Sequence, residues 1–257
     1  MGVERHLLLP VDSLPCRARW VVREMRTIGL LGGMSWESTQ TYYAQINRQV
    51  NNRLGGLHSA KIIMVSVDFS EIEQQQITGD WNSAAIMLSD AARQLELAGA
   101  DCFAICTNTM HEVFEQVSEA VQIPGLHIAD AVGRFAHKQN YHHLGLLGTR
   151  FTMERDFFRQ RLLAKHNVRV IVPSHEMRSD IHRIIYEELC LGEVRGESRD
   201  VFLAAMHELT TQKIDGVILG CTEIGMLIQQ SHTRVPILDT TVLHAQALVE
   251  FALNQEA

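Results

Sequence analysis

The sequence is sparing with cysteine, proline, aromatics and positive charge, and each shortage removes a class of explanation. Its 257 residues hold five cysteines, at positions 16, 102, 106, 190 and 221. That number is odd, and none of them forms a CxxC pair or a zinc-type spacing, so neither a disulfide framework nor a structural metal site is expected. Reduced thiols in a cytoplasmic protein fit best. The formal net charge of −7 offers no basic footprint for nucleic acid. No apolar run approaches the roughly 20 residues of a membrane helix. What remains is an ordinary globular composition, 46% hydrophobic and 21% charged, enough for one large core or two smaller ones.

The first 24 residues differ from the rest. "HLLLPVDSLPCRARWVVRE" has two prolines, no helical period and no strand alternation. Its short apolar run lacks the small-residue cleavage site of a secretory signal. Met25 then opens "MRTIGLLGG", which reads as a first strand. Residues 1–24 are therefore expected to be an extension outside the fold.

From Met25 onward, short apolar runs alternate with helical stretches. Strands are expected at 27–33, 60–67, 101–106, 124–128, 143–148, 168–173, 215–221 and 236–240. They are continuously apolar, as strands buried on both faces are. Ser35 and Asp80 are placed to cap the two helices that end near Leu54 and Gly99. This alternation predicts an α/β fold with mainly parallel sheets.

The chain also repeats itself. "TIGLLGG" at 27 matches "HLGLLGT" at 143, an offset of 116 residues. "DCFAICTNT" at 101 matches "DGVILGCTE" at 215, an offset of 114, and Pro124 matches Pro236, an offset of 112. Three matches in one order predict two pseudo-symmetric α/β domains, at 25–130 and 131–240, with the active site in the cleft between them. The C-terminal helix, 241–255, can pack back on the first. In this alignment Thr107 falls opposite Cys221, each at a strand end where a helix opens. A helix start offers free N–H groups to an anion and lowers the pKa of a nearby thiol, so Cys221 is expected to favour thiolate.

The sequence resembles the aspartate/glutamate racemase superfamily of cofactor-independent amino-acid racemases. "GLLGGMSWEST", "RLGGLHSAKI", "CTNTMH", "IIYEELCLG" and "GCTEIG" carry the resemblance, which runs from Met25 almost to the C-terminus. It implies two facing domains, each with a catalytic cysteine, and neither pyridoxal phosphate nor metal. One thiolate removes the α-proton and the other residue, as an acid, protonates the opposite face. Most members have cysteine where this chain has Thr107. A bacterial subgroup with threonine there is associated with racemising acidic amino acids, preferentially from the L form, and this sequence looks like that subgroup. L-aspartate and L-glutamate are the implied substrates. A thiol can be tuned into a base near neutrality and a threonine hydroxyl cannot, so Cys221 is expected to abstract and Thr107 to donate or relay. Family members are often dimers, which admits a homodimer here. Two rivals remain: a single-cysteine decarboxylase of the arylmalonate type, and an acidic amino-acid binding protein with little catalysis.

The other candidates each have two readings. Asn108, Thr109 and Thr222 read as helix caps, and the resemblance implies that they hold the substrate α-carboxylate. Gly33 and Met34 read as a glycine turn and a core residue, and the resemblance puts them beside substrate. Gln76 lies in a polar run that approaches the substrate side chain in the family. Arg53 and His58 flank "LGGLHS" and can meet a side-chain carboxylate, while Arg178, His182 and Arg183 offer a basic residue in the second half. His111, four residues after Thr107, is placed to tune or relay protons. Glu223 follows Cys221 closely enough to belong to the site. Cys190 reads as packing.

Overall fold

A computed structural model describes residues 25–254. The expectation for residues 1–24 therefore lies outside the described residues. The chain runs β1 (Ile28–Gly32), α1 (Trp36–Leu54), β2 (Ile62–Ser66), α2 (Phe69–Thr78), α3 (Trp81–Leu97) and β3 (Cys102–Ile105). A 3-10 turn (Thr109–Val113), α4 (Phe114–Glu119) and α5 (Ile128–Gln139) follow. Next come β4 (His143–Gly148), α6 (Arg150–Glu154), α7 (Asp156–His166), β5 (Arg169–Ile171), α8 (His175–Glu187) and α9 (Gly196–Thr210). The chain closes with β6 (Gly216–Gly220), α10 (Ile224–Leu227), β7 (Ile237–Asp239) and α11 (Thr240–Leu253). Among the described residues no helix is long and apolar enough to cross a membrane.

The strands form two parallel sheets, in the orders β2-β1-β3 and β5-β4-β6-β7. The expected strand at 124–128 is reduced to one parallel bridge, Phe103 to Gly125, where the Phe103 N–H donates to the Pro124 carbonyl and the Leu126 N–H to the Phe103 carbonyl, before His127 caps α5 and ends the extended run. The repeat survives at the level of register. Ile28 pairs with Cys102 and Leu144 with Gly216, positions related by the offsets 116 and 114. The Phe103–Gly125 bridge corresponds in the same way to the pairing of Val217 with Ile237.

Strands β1 and β3 are buried throughout, as are β4 beyond its first residue and all of β6. Helices cover both faces of the first sheet. Leu88, Ala92 and Leu95 of α3 pack on one side with Phe103 and Ile105. On the other, Tyr42, Ile46 and Val50 of α1 meet Ala245, Leu248, Val249 and Ala252 of α11 beside Ile28 and Leu30. The chain's last helix thus supports its first strand. The second core gathers α5, α7, α8 and α9 around β4 and β6.

Ser35 and Asp80 cap α1 and α3 as expected, accepting from the Ser38 and Ser83 N–H groups. Gly33 turns the chain from β1 towards α1 with φ +92, and a Cβ there would lie 2.1 Å from the Val67 carbonyl oxygen. The Val67 backbone nitrogen, at 2.7 Å, crowds the same position, and backbone cannot easily yield. Gly33→Ala is expected to destabilise by about 2–4 kcal/mol, read from the urea midpoint. Leu248→Ala, which empties the α11 contact with β1, is expected to lose about 2–5 kcal/mol by the same measurement.

Candidate active site

Thr107 and Cys221 lie just past the carboxyl ends of β3 and β6, which match in the repeat, and both line one pocket. The space between its walls, open mouth included, is about 320 Å³. Met34, Asn108, Thr109, Gln76 and Glu223 share its wall. So do Phe69, Thr149, Ile185, Tyr186 and Cys190, none of which sequence reasoning placed there. Cys190, expected only to pack, lines the pocket. It follows α8 in the chain, and its helical setting alone gave no sign that this turn faces the cleft. Tyr186 sits in "IIYEELCLG", where a motif match was visible but no role could be assigned.

Hydrogen bonds fix the wall. Asn108 Nδ2 donates to Thr240 Oγ1 at 2.9 Å, and the Thr240 hydroxyl itself donates to the Leu219 carbonyl at 2.8 Å. Thr240 can therefore only accept from Asn108, which settles the orientation of the amide. Asn108 Oδ1 is then a buried acceptor with no donor among the described residues. Asn108 is accordingly not a side-chain helix cap. The Thr109 hydroxyl lies 3.0 Å from that of Thr149, across the two halves. Tyr186 Oη donates to Gln76 Oε1 at 2.8 Å, and Gln76 Nε2 points at Met110 Sδ, a weak acceptor.

Cys221 overturns the expectation of a ready thiolate. Its Sγ donates to Glu223 Oε2 at 2.9 Å. Burial, then repulsion from Glu223 and Cys190, hold the thiol well above its ordinary pKa. The following helix, α10, has only four residues. A dipole so short does not offset desolvation and an adjacent carboxylate.

His111 is a second correction. Its Nε2 accepts from the Ile128 N–H at 3.1 Å, so Nδ1 carries the proton and donates to the Thr107 carbonyl at 2.8 Å. Both ring nitrogens are occupied, and burial with His244 nearby lowers its pKa to about 3. It is a neutral brace for the Thr107 turn, not a proton relay. It belongs to a buried cluster with His127 and His244. His244 accepts from Tyr42 and donates to the Leu126 carbonyl, and burial lowers its pKa to about 4.

Arg53 and His58 are not brought to the pocket. Both are exposed, and Arg53 pairs with Glu250 at 3.7 Å. Gly33 sits behind the wall as a turn, and Thr222 does not line the pocket but donates to Glu223. Of the second-half basic candidates, Arg178 pairs with Glu154, Arg183 with Glu187 and Glu188, and His182 lies over Phe151. None lines the pocket.

Residues 31–248 match the family model described as Asp/Glu/Hydantoin racemase. The chain belongs to this family. A solved structure of a putative Asp/Glu racemase from Yersinia pestis is 50% identical over 90% of this chain and 100% of its own, with a TM-score of 0.84. An aspartate racemase homologue from Pyrococcus horikoshii OT3 is 33% identical with the same coverage and a TM-score of 0.79. The broad specificity amino-acid racemase RacX of Bacillus subtilis (strain 168) is 22% identical over 90% of this chain and all of its own.

The neutral histidines make stability fall with acid. Their folded pKa values lie below the ordinary 6.5, so between about 6.5 and about 3 for His111, or about 4 for His244, the unfolded chain binds more protons. Stability should drop as pH falls through that window. His244→Gln is expected to be less stable than wild type at about pH 8 but to lose stability less steeply below about pH 6, in urea titrations across the range.

Proposed function

We propose that this chain racemises an amino acid in the pocket, with Cys221 taking the α-proton and the Thr107 side returning one to the opposite face. The observation that carries this reading is the meeting, in one buried pocket, of a thiol and a hydroxyl from repeat-equivalent strand ends. The family assignment supports it.

The two groups are not interchangeable. A thiol ionises within a few units of neutrality, while an aliphatic hydroxyl does not. Cys221 is thus the only member of the pair able to act as a base, and Thr107 serves as a donor fed by water. Asn108 Oδ1, a buried acceptor without a donor, suits the substrate ammonium better than the carboxylate that the sequence reading assigned to it. The hydroxyls of Thr107, Thr109 and Thr149 suit the α-carboxylate. For the side chain we favour the carboxylate of aspartate or glutamate. Gln76 Nε2, facing a thioether, is a neutral donor that can serve it, while the Tyr186 hydroxyl, donating to Gln76 Oε1, fixes the orientation of that amide.

Racemisation has an equilibrium constant near one, so kcat/KM is equal from either isomer. A preference for the L form then describes saturation or proton exchange, not a one-way catalyst.

The test is loss of the α-proton signal of L- and D-aspartate and glutamate in D₂O, followed by proton NMR. Wild type should exchange the α-proton, and Cys221→Ser, still folded, should lose at least about 100-fold. Exchange by Cys221→Ser near the wild-type rate would remove Cys221 from the chemistry. Thr107→Cys is expected to raise exchange from the D isomer. A flat D-isomer rate in a folded variant would show that the two positions are not equivalent in function.

A further inference from the structure

A thiol must lose its own proton before it can take one from carbon, and Cys221 sits where that loss is hard. It is 8% exposed, and among the described residues no lysine or arginine lines the pocket. The acidic groups acting on it are Glu223 and Cys190, while Glu73 of α2 and Glu37 of α1 act on the neighbouring Tyr186 and Cys190. Direct ionisation into this surrounding would add a second negative charge beside Glu223. A transfer that leaves the charge unchanged avoids that penalty.

Glu223 is built for such a transfer. It is 3% exposed. Oε2 accepts from Cys221 Sγ at 2.9 Å and from the Thr222 hydroxyl at 2.6 Å, and Oε1 accepts from the Ser35 hydroxyl at 2.7 Å. All three donors are neutral, and among the described residues no cation pairs with it. A buried carboxylate without a cation is unfavourable unless something else requires it. The repeat supplies an independent observation. The 114-residue offset that sets Cys221 against Thr107 also sets Glu223 against Thr109. Thiol and carboxylate occur together in one copy, and hydroxyls replace both in the other. A hydroxyl that never ionises needs no proton acceptor.

We propose that Glu223 is the immediate acceptor of the Cys221 proton, so that the base is a thiol–carboxylate pair sharing one proton. The proposal rests on the racemase reading. In the first step the S–H bond breaks and an O–H bond forms on Oε2, leaving thiolate beside carboxylic acid at unchanged total charge. The thiolate then takes the α-proton, and the electron pair of the C–H bond stays on the substrate. Water delivers a proton to the other face by way of Thr107, leaving hydroxide. The pair, now carrying two protons, releases one to that hydroxide and returns to its starting state. The substrate ammonium offsets the pair's negative charge while this occurs.

The deciding measurement is the pH dependence of Cys221 alkylation by iodoacetamide, followed by mass spectrometry of the Cys221 peptide in the full chain. Wild type should show a low plateau through neutral pH, from the tautomer with the proton on Glu223, and then a rise at alkaline pH. Glu223→Gln should show a single rise with no plateau. Identical single-step profiles would overturn the proposal. If Glu223→Gln does not fold, Thr222→Val decides. Removing the Thr222 donor leaves Oε2 with the Cys221 thiol as its one partner, so the proton should pass to it more often and the plateau should rise, and an unchanged or lower one would overturn the proposal. In parallel, α-proton exchange by Glu223→Gln should fall at least about tenfold at neutral pH and approach wild type as pH rises. Loss by one factor at every pH would mark Glu223 as a structural or ammonium-binding residue and also overturn it. If wild type exchanges no α-proton from any common amino acid, the racemase reading fails, while the alkylation profile still decides the pair.

Discussion

The contact between the Cys221 thiol and the Glu223 carboxylate is the constraint on which the rest of the cleft depends. A buried carboxylate is costly, and hydrogen bonds are what make it tolerable. One of those bonds comes from Ser35, at the start of α1 in the other half of the chain. The site therefore joins the two sheets as well as lying between them. Thr109 with Thr149 and Gln76 with Tyr186 add further links of the same kind. Each neutral link can be remade with a substrate polar group, so the cleft can admit a ligand without leaving a buried charge stranded.

The two sides of the pocket are prepared for different work. On the Cys221 side a proton can move between sulfur and oxygen within one hydrogen bond. On the Thr107 side the surroundings are neutral and fixed. His111 holds the Thr107 carbonyl from behind, and His127 and His244 fill the space beneath it without charge. Among the described residues lining the pocket on that side, Thr107, Asn108 and Thr109, none is a strong acid. The chain keeps a duplicated backbone, down to the register of its strand pairs, while the chemistry placed on it is not duplicated.

Much of this was legible in the sequence. Continuous apolar runs gave the strands, and Ser35 and Asp80 marked the helix starts. The 114-residue offset alone sets Thr107 opposite Cys221. What was not legible depended on burial and on direction. The helix-start argument for a thiolate needed the length of α10 and the position of a carboxylate, neither of which spacing reveals. His111 stood at a helical distance that allowed a relay, but only its partners, the Thr107 carbonyl and the Ile128 N–H, show that both nitrogens are occupied. Arg53 carried a motif match and a charge of useful sign, yet the end of α1 points it at Glu250. Cys190 and Tyr186 reached the pocket through the turn after α8, a tertiary fact with no periodic signature.

The central claim is that proton removal and proton delivery are unequal. It is tested most directly by a time course in D₂O from unlabelled L-aspartate and L-glutamate, with chiral separation and mass detection. The Cys221 side can exchange its proton with solvent and return deuterium to the face it came from, whereas inversion waits on delivery through a hydroxyl. The account expects α-deuterium to appear in recovered L isomer faster than in D isomer. If all early deuterium is found in the D isomer and none in recovered L, delivery from the Thr107 side is efficient and the asymmetry described here is contradicted.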